Sequence, residues 1–150
     1  MENIDTEKMA IGVFDSGLGG LTVVKELLKL LPNEKIIYFG DTARVPYGSK
    51  SAKVVTKYSK EITKFLLTKQ IKLLVIACNT ASAVALEEVS RMVNIPVIGV
   101  IKPGSRRAVN TTRNGKIGVI GTRGLVESKS YMNKIKNLKS DAEIVQKACP

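Results

Sequence analysis

Short runs of apolar, often β-branched residues recur along the chain at Ala10–Phe14, Lys35–Gly40, Leu73–Cys78, Val97–Val100 and Lys116–Gly121, with a last run at Glu143–Ala148. Each is short, and most carry no strict polar alternation, which is the signature of a strand buried on both faces. Longer stretches with helical spacing separate them, near Gly20–Leu31, Ser51–Lys69, Ala81–Val93, Ser105–Thr111 and Leu125–Leu138. In the second of these, Val54, Val55, Tyr58, Ile62, Phe65, Leu66 and Lys69 fall at i, i+3, i+4 intervals and predict one amphipathic face. Strands that alternate with helices predict an α/β fold with a doubly wound parallel sheet, because right-handed crossovers lay helices on both faces. In such sheets ligands bind beyond the carboxyl ends of the strands.

Three polar segments follow predicted strands there: Asp15-Ser16-Gly17, the loop from Asp41 to Ser51, and Asn79-Thr80. Topology brings them together although they are far apart in sequence. A weaker echo links Ile11-Gly12-Val13-Phe14-Asp15-Ser16-Gly17-Leu18 with Ile117-Gly118-Val119-Ile120-Gly121-Thr122-Arg123-Gly124-Leu125. If it marks two related lobes, the first covers residues 1–101 and the second begins at 102, is incomplete at 150, and would place a counterpart of Cys78 further on. Chance similarity of two strand-to-helix turns explains the echo equally well.

Composition narrows the chemistry. With 44% apolar and 25% charged residues, the chain reads as a soluble globular protein. Its apolar runs are far too short to span a membrane, and the acidic opening Met1-Glu2-Asn3-Ile4-Asp5 has no signal-peptide core, so a cytoplasmic location is expected. There is no histidine, which removes Ser-His-Asp and Cys-His pairs and leaves acid/base work to Cys, Asp, Glu, Lys or Tyr. The only cysteines, Cys78 and Cys149, have no metal-ligand or disulfide spacing. Cys149 reads as structural. The net charge of +11 is concentrated late, with 11 basic against 3 acidic residues in 102–150 and 13 against 10 before. Spread along a predicted helix with few aromatics, those cations read as a solvated face, and nucleic-acid binding is the lesser alternative.

The motifs themselves leave alternatives open. Asp15-Ser16-Gly17-Leu18-Gly19-Gly20 is a glycine-rich turn into a helix, where backbone N–H groups could hold a phosphate or carboxylate, or simply allow tight packing. Asp41 falls 22 positions beyond Gly19, as in dinucleotide sites, but Thr22 stands where the third glycine belongs. In the Pro46-Tyr47-Gly48 loop, Tyr47 offers a hydroxyl to a small ligand, while Asp41 and Arg44 could form a mere loop ion pair. Cys78 leaves a buried strand at a helix start, where its pKa could fall, or else it is an inert core thiol.

Three segments taken together resemble the glutamate racemases: Ile11 through Val23, the Tyr38-Phe-Gly-Asp-Thr-Ala-Arg-Val-Pro-Tyr-Gly48 loop, and Ile76-Ala-Cys-Asn-Thr-Ala-Ser-Ala83. Gly121-Thr122 followed by Ser128 and Tyr131 is similar to that family's second-lobe turn. Racemases of aspartate and hydantoins share the fold, but the glycine turn and the Pro-Tyr-Gly loop look more like the glutamate enzymes. The resemblance implies two pseudo-symmetric lobes around glutamate, no pyridoxal phosphate or metal, and interconversion of the enantiomers to supply D-glutamate for peptidoglycan. It implies Cys78 as one acid/base thiol, with Asp15 catalytic beside it, and substrate contacts from Asp15, Ser16, Tyr47, Gly48, Asn79, Thr80 and Thr122. The family's opposing thiol belongs to a Gly-Cys-Thr-His segment that these 150 residues lack. The chain is therefore expected to be inactive alone, to need the C-terminal half, and to act as a homodimer when complete. The alternative is a doubly wound module that binds a nucleotide or anion without catalysis.

Overall fold

The computed structural model describes residues 9–149; the acidic opening Met1–Asp5 and Pro150 lie outside the described residues. In chain order the elements are β1 (Ala10–Asp15), α1 (Leu21–Leu30), β2 (Ile36–Gly40), α2 (Ala52–Leu67), β3 (Ile71–Ile76), α3 (Asn79–Val84), α4 (Leu86–Met92), β4 (Val97–Gly99), α5 (Ile101–Thr111), β5 (Lys116–Gly121), α6 (Arg123–Glu127), α7 (Ser130–Leu138) and β6 (Glu143–Ala148). Four strands form one parallel sheet in the order β2-β1-β3-β4, and β5 and β6 form a second parallel pair. The architecture is α/β with a doubly wound parallel sheet, as the sequence predicts.

β1 is buried at every position because it has a strand on each side and helices on both faces. On one face Phe14, Leu74 and Ile76 pack against Val55, Ile62 and Leu66 of α2 and against Ala81, Ala85 and Val89 of α3 and α4. On the other, Ile11, Val13 and Val75 meet Val23, Val24 and Leu27 of α1. Each large side chain removed from water in this way contributes about 1.5–3 kcal/mol. Strand β1 is thus held on both edges and both faces, and its carboxyl end is a fixed platform.

The helices depart from the sequence expectation in four places. The α2 face is rotated: Val55, Thr56, Ser59, Ile62, Thr63 and Leu66 are buried, while Phe65 is 46% exposed and leans on Phe39 with ring centroids 5.5 Å apart. Ser59 and Thr63 can face the sheet because their hydroxyls donate to the Val55 and Ser59 carbonyls at 2.8 and 2.7 Å, which removes the cost of burying them. The stretch expected as one helix from Ala81 to Val93 starts at Asn79 and breaks at Ala85, whose φ of −118° interrupts the ladder. α5 starts at Ile101 rather than Ser105 and passes through Pro103 and Gly104. Proline is tolerated there because first-turn N–H groups have no intrahelical partner. The last expected helix is two, separated at Lys129, which adopts φ 53°.

Candidate functional site

The sheet order puts β1 between β2 and β3, so the chain winds to opposite sides from β1 and leaves a crevice at its carboxyl end. A cleft of about 640 Å³ opens there, walled by the ends of β1 and β3 on one side and by β5, α6 and α7 on the other. Asp15, Ser16, Cys78, Asn79, Thr80 and Thr122 all line it. Tyr47 and Gly48 do not.

The glycine turn serves Asp15 rather than an outside anion. One carboxylate oxygen of Asp15, Oδ2, accepts the Gly17 N–H at 3.3 Å and the Gly20 N–H at 2.9 Å. The amides that could have held a phosphate are therefore engaged by the chain's own carboxylate. Gly20 is required for this closure: a Cβ there would sit 2.6 Å from the Cβ of Asp15 and 3.0 Å from that of Ala77. Behind the turn, the Tyr38 hydroxyl donates to the Gly17 carbonyl at 2.7 Å. Burial, and then the neighbouring Asp15, pushes the Tyr38 pKa up and keeps it a donor.

Cys78 is the N-cap of α3, and its sulfur accepts the Ala81 N–H at 3.4 Å. The thiol lies 3.5 Å from Ser16 Oγ. The residue is 5% exposed and packs into the core on its inner side, yet its outer side borders the cleft. Burial pushes the thiol pKa up; the Ala81 N–H and Ser16 hydroxyl pull it down, and the Asp15 charge adds to the rise. The helix start does not win, because α3 has only six residues and the desolvation of a thiolate outweighs one amide. Burial thus favours the protonated thiol, which donates to Ser16 Oγ and accepts the Ala81 N–H.

Asn79 is exposed at the cleft edge, and its Oδ1 accepts from the Tyr131 hydroxyl at 2.9 Å. Thr80 Oγ1 lies 3.0 Å from Thr122 Oγ1, across the gap between the two sheets. Thr122 also caps α6, accepting the Leu125 N–H at 3.3 Å.

The Tyr47 ring is 1% exposed, and its hydroxyl donates to Asp41 Oδ2 at 2.5 Å. Burial and then Asp41 push that hydroxyl's pKa up. Arg44 Nε donates to the same Asp41 oxygen at 2.7 Å, its terminal nitrogen reaches Glu61 at 2.5 Å, and its guanidinium stacks 4.1 Å from the Tyr58 ring centre. The loop ion pair envisaged for Asp41 and Arg44 is thus present, and it anchors the loop. Gly48 sits at the loop tip against the second sheet's turn. A Cβ there would lie 2.4 Å from Thr122, and its carbonyl accepts the Gly124 N–H at 3.4 Å.

Two residues of the quoted motifs make contacts that the sequence patterns do not indicate. Tyr38 stands within a strand, with nothing local to connect it to Gly17. Tyr131 is 52 residues from the side chain it holds. The resemblance of the second-lobe turn includes Tyr131 but gives it no partner, and a structural sign is Gly104, a glycine inside α5 where a Cβ would approach the Tyr131 hydroxyl to 2.7 Å. Cys149 is exposed and does not line the cleft.

Comparison with known proteins adds independent findings. A family model described as Asp/Glu/Hydantoin racemase matches residues 11–148. The glutamate racemase of Geobacter metallireducens is 60% identical over 141 residues, which cover 94% of this chain and 52% of that protein. A glutamate racemase isoform from Bacillus anthracis superimposes with a TM-score of 0.93 at 45% identity, over 96% of this chain and 54% of the other. The Francisella tularensis glutamate racemase, solved in complex with D-glutamate, gives 0.87 at 43% identity, over 95% and 54%. The chain spans about half the length of the curated relatives it matches.

Proposed function

The chain belongs to the Asp/Glu/Hydantoin racemase family, and from that premise we propose that its cleft is one half of a site interconverting L- and D-glutamate by proton transfer through Cys78. The observation that carries this reading is the sulfur of Cys78 at the cleft wall, with Ser16 Oγ at 3.5 Å, the Ala81 N–H at 3.4 Å and the Asp15 carboxylate beside them. Residues 1–101 act as the first lobe and residues from 102 onward begin the second, which contributes Thr122.

The α-proton of an amino acid is weakly acidic, and the adjacent carboxylate opposes the negative charge left when it departs. Hydrogen-bond donors at that carboxylate offset the charge. Asn79, Thr80 and Thr122 supply donors at the cleft, and Ser16 and Asp15 face the ammonium side. A substrate ammonium arriving beside Cys78 favours the thiolate, with the thiol proton released to solvent through the open cleft, and so counters the burial that favours the protonated form. The thiolate then takes the α-proton to become a thiol, and the electron pair moves into the substrate carboxylate. Returning a proton to the same face restores the starting enantiomer, while inversion needs an acid on the opposite face. Exposed Cys149 bonds through its N–H to Gly121 at the cleft wall but does not itself line the cleft, and the opposing acid is supplied from the C-terminal half. Tyr47 and Gly48 serve this site by fixing the loop that abuts Thr122. The complete enzyme is a homodimer supplying D-glutamate to the bacterial cell wall.

The nucleotide- or anion-binding alternative loses its main support, because Asp15 takes the amides it needs. Calorimetry with glutamate, NAD and ATP, alongside optical assay of L- to D-glutamate conversion, tests the reading. Glutamate binding without sustained conversion by this chain is expected. Preferential binding of a nucleotide, or rapid conversion by the 150 residues alone, would overturn it.

A further inference from the structure

We propose that Tyr131 is a positioning residue that fixes the side-chain amide of Asn79 with its NH2 group turned to the substrate carboxylate. The inference rests on the glutamate reading above. Asn79 follows Cys78 directly and projects at the cleft edge. Its terminal torsion is soft and nearly two-fold, so an isolated asparagine offers either its oxygen or its nitrogen to a ligand. The Tyr131 hydroxyl, donating to Oδ1 at 2.9 Å from the opposite wall, holds the amide in one of its two orientations. The amide oxygen is occupied, and among the described residues the Nδ2 protons take no protein acceptor. Two donors are left beside the thiol, which suits a carboxylate and disfavours a cation or a carbonyl-poor ligand.

The fold makes room for this contact. Gly104 lies in the first turn of α5, although glycine is a poor helix former. A Cβ at that position would lie 2.7 Å from the Tyr131 hydroxyl and 3.2 Å from the ring carbon Cε1, so only glycine leaves the hydroxyl where it is. Burial also pushes the Tyr131 pKa up, which keeps the hydroxyl protonated and donating at neutral pH. Tyr131 belongs to α7, beside the second sheet, and Asn79 to α3, beside the first. The contact therefore couples the substrate donor to the approach of the two sheets.

Protection of Cys78 from iodoacetamide by added glutamate, followed by mass spectrometry, reads the amide's contribution. It is measured on the chain, Tyr131→Phe, Asn79→Ala and the double variant, with exposed Cys149 as the internal standard. Loss of the hydroxyl should raise the glutamate concentration for half-protection about tenfold, and should add nothing once Asn79 is already alanine. Without glutamate, the Tyr131→Phe alkylation rate should equal that of the parent, which a general loosening of the cleft would not allow. Protection of the parent with Tyr131→Phe unchanged, or with independent effects of the two substitutions, overturns the inference and leaves the glutamate reading standing. Failure of glutamate to protect the parent overturns both.

Discussion

Two stretches of this chain begin with the same residues, Ile11-Gly12-Val13 and Ile117-Gly118-Val119, and each forms a parallel strand that ends at the cleft. Their surroundings are opposite. β1 is buried throughout, flanked by β2 and β3 and covered on both faces. Among the described residues β5 pairs only with β6; it alternates between exposed and half-buried positions and carries Ile120 at 74% exposure, while Val145 on β6 reaches 72%. Similar local sequence has built a rigid floor on one side of the cleft and a thinly supported wall on the other. The Cys78 thiol and the Asp15 turn are fixed to the floor; Thr122 and Tyr131 come from the wall, and they touch the floor through a few polar contacts.

The contrast should be largest in stability. Phe14→Ala, which empties the space between β1 and α2, is expected to cost about 3–5 kcal/mol, whereas Ile120→Ala should stay within about 0.5 kcal/mol. Urea unfolding of the two variants checks this; equal losses would mean that the wall is as well packed as the floor. A finer comparison uses the echoed glycines. A Cβ at Gly12 would lie 2.8 Å from Cδ1 of buried Ile71, and one at Gly118 meets nothing within 4 Å. Gly12→Ala should cost about 1–3 kcal/mol through overpacking, and Gly118→Ala should be neutral or stabilise by about 0.5 kcal/mol. Thr122→Ala removes the α6 cap and the contact with Thr80, for an expected loss of about 1 kcal/mol by the same denaturation series.

The smallest effect is a displaced titration. Because burial holds the Cys78 thiol above its ordinary pKa, its thiolate fraction, and hence its alkylation rate, should keep climbing with pH beyond the usual thiol range. Removing the Ser16 hydroxyl, which favours the charged form, should move that midpoint further up in Ser16→Ala. A midpoint that falls instead would mean that the hydroxyl stabilises the neutral thiol.

The sequence makes the floor legible and much of the wall obscure, for physical reasons. Strands buried on both faces must be apolar at nearly every position, so β1 and β3 stand out directly. The convergence of Asp15, Ser16, Cys78, Asn79 and Thr80 on one cleft follows from parallel topology, whereas Thr122, after the second sheet's β5, is reached only through the resemblance, and Tyr47 and Gly48 of the loop from Asp41 to Ser51 stay outside the lining. The breaks at Ala85 and Lys129 leave no trace because neither is glycine or proline, and tertiary packing decides them. The helix expected from Ser105 takes in Pro103 and Gly104 as well, and the glycine is accounted for by Tyr131, which lies against it. Tyr47 has the chemistry of a ligand contact, but its hydroxyl is committed to Asp41, a partner that composition cannot distinguish from solvent. Helix capping suggested a depressed Cys78 pKa, and burial, which a lone motif does not report, reverses it.

The central claim is that the sulfur of Cys78 removes the α-proton of glutamate from one face. Incubating L-glutamate in heavy water with the chain and with Cys78→Ala, and following the α-proton by NMR, tests it most directly. The account predicts deuterium uptake with retained configuration by the chain, reduced by at least ~10²-fold in Cys78→Ala. Equal uptake by both proteins, or none by the chain while glutamate is bound, would contradict it.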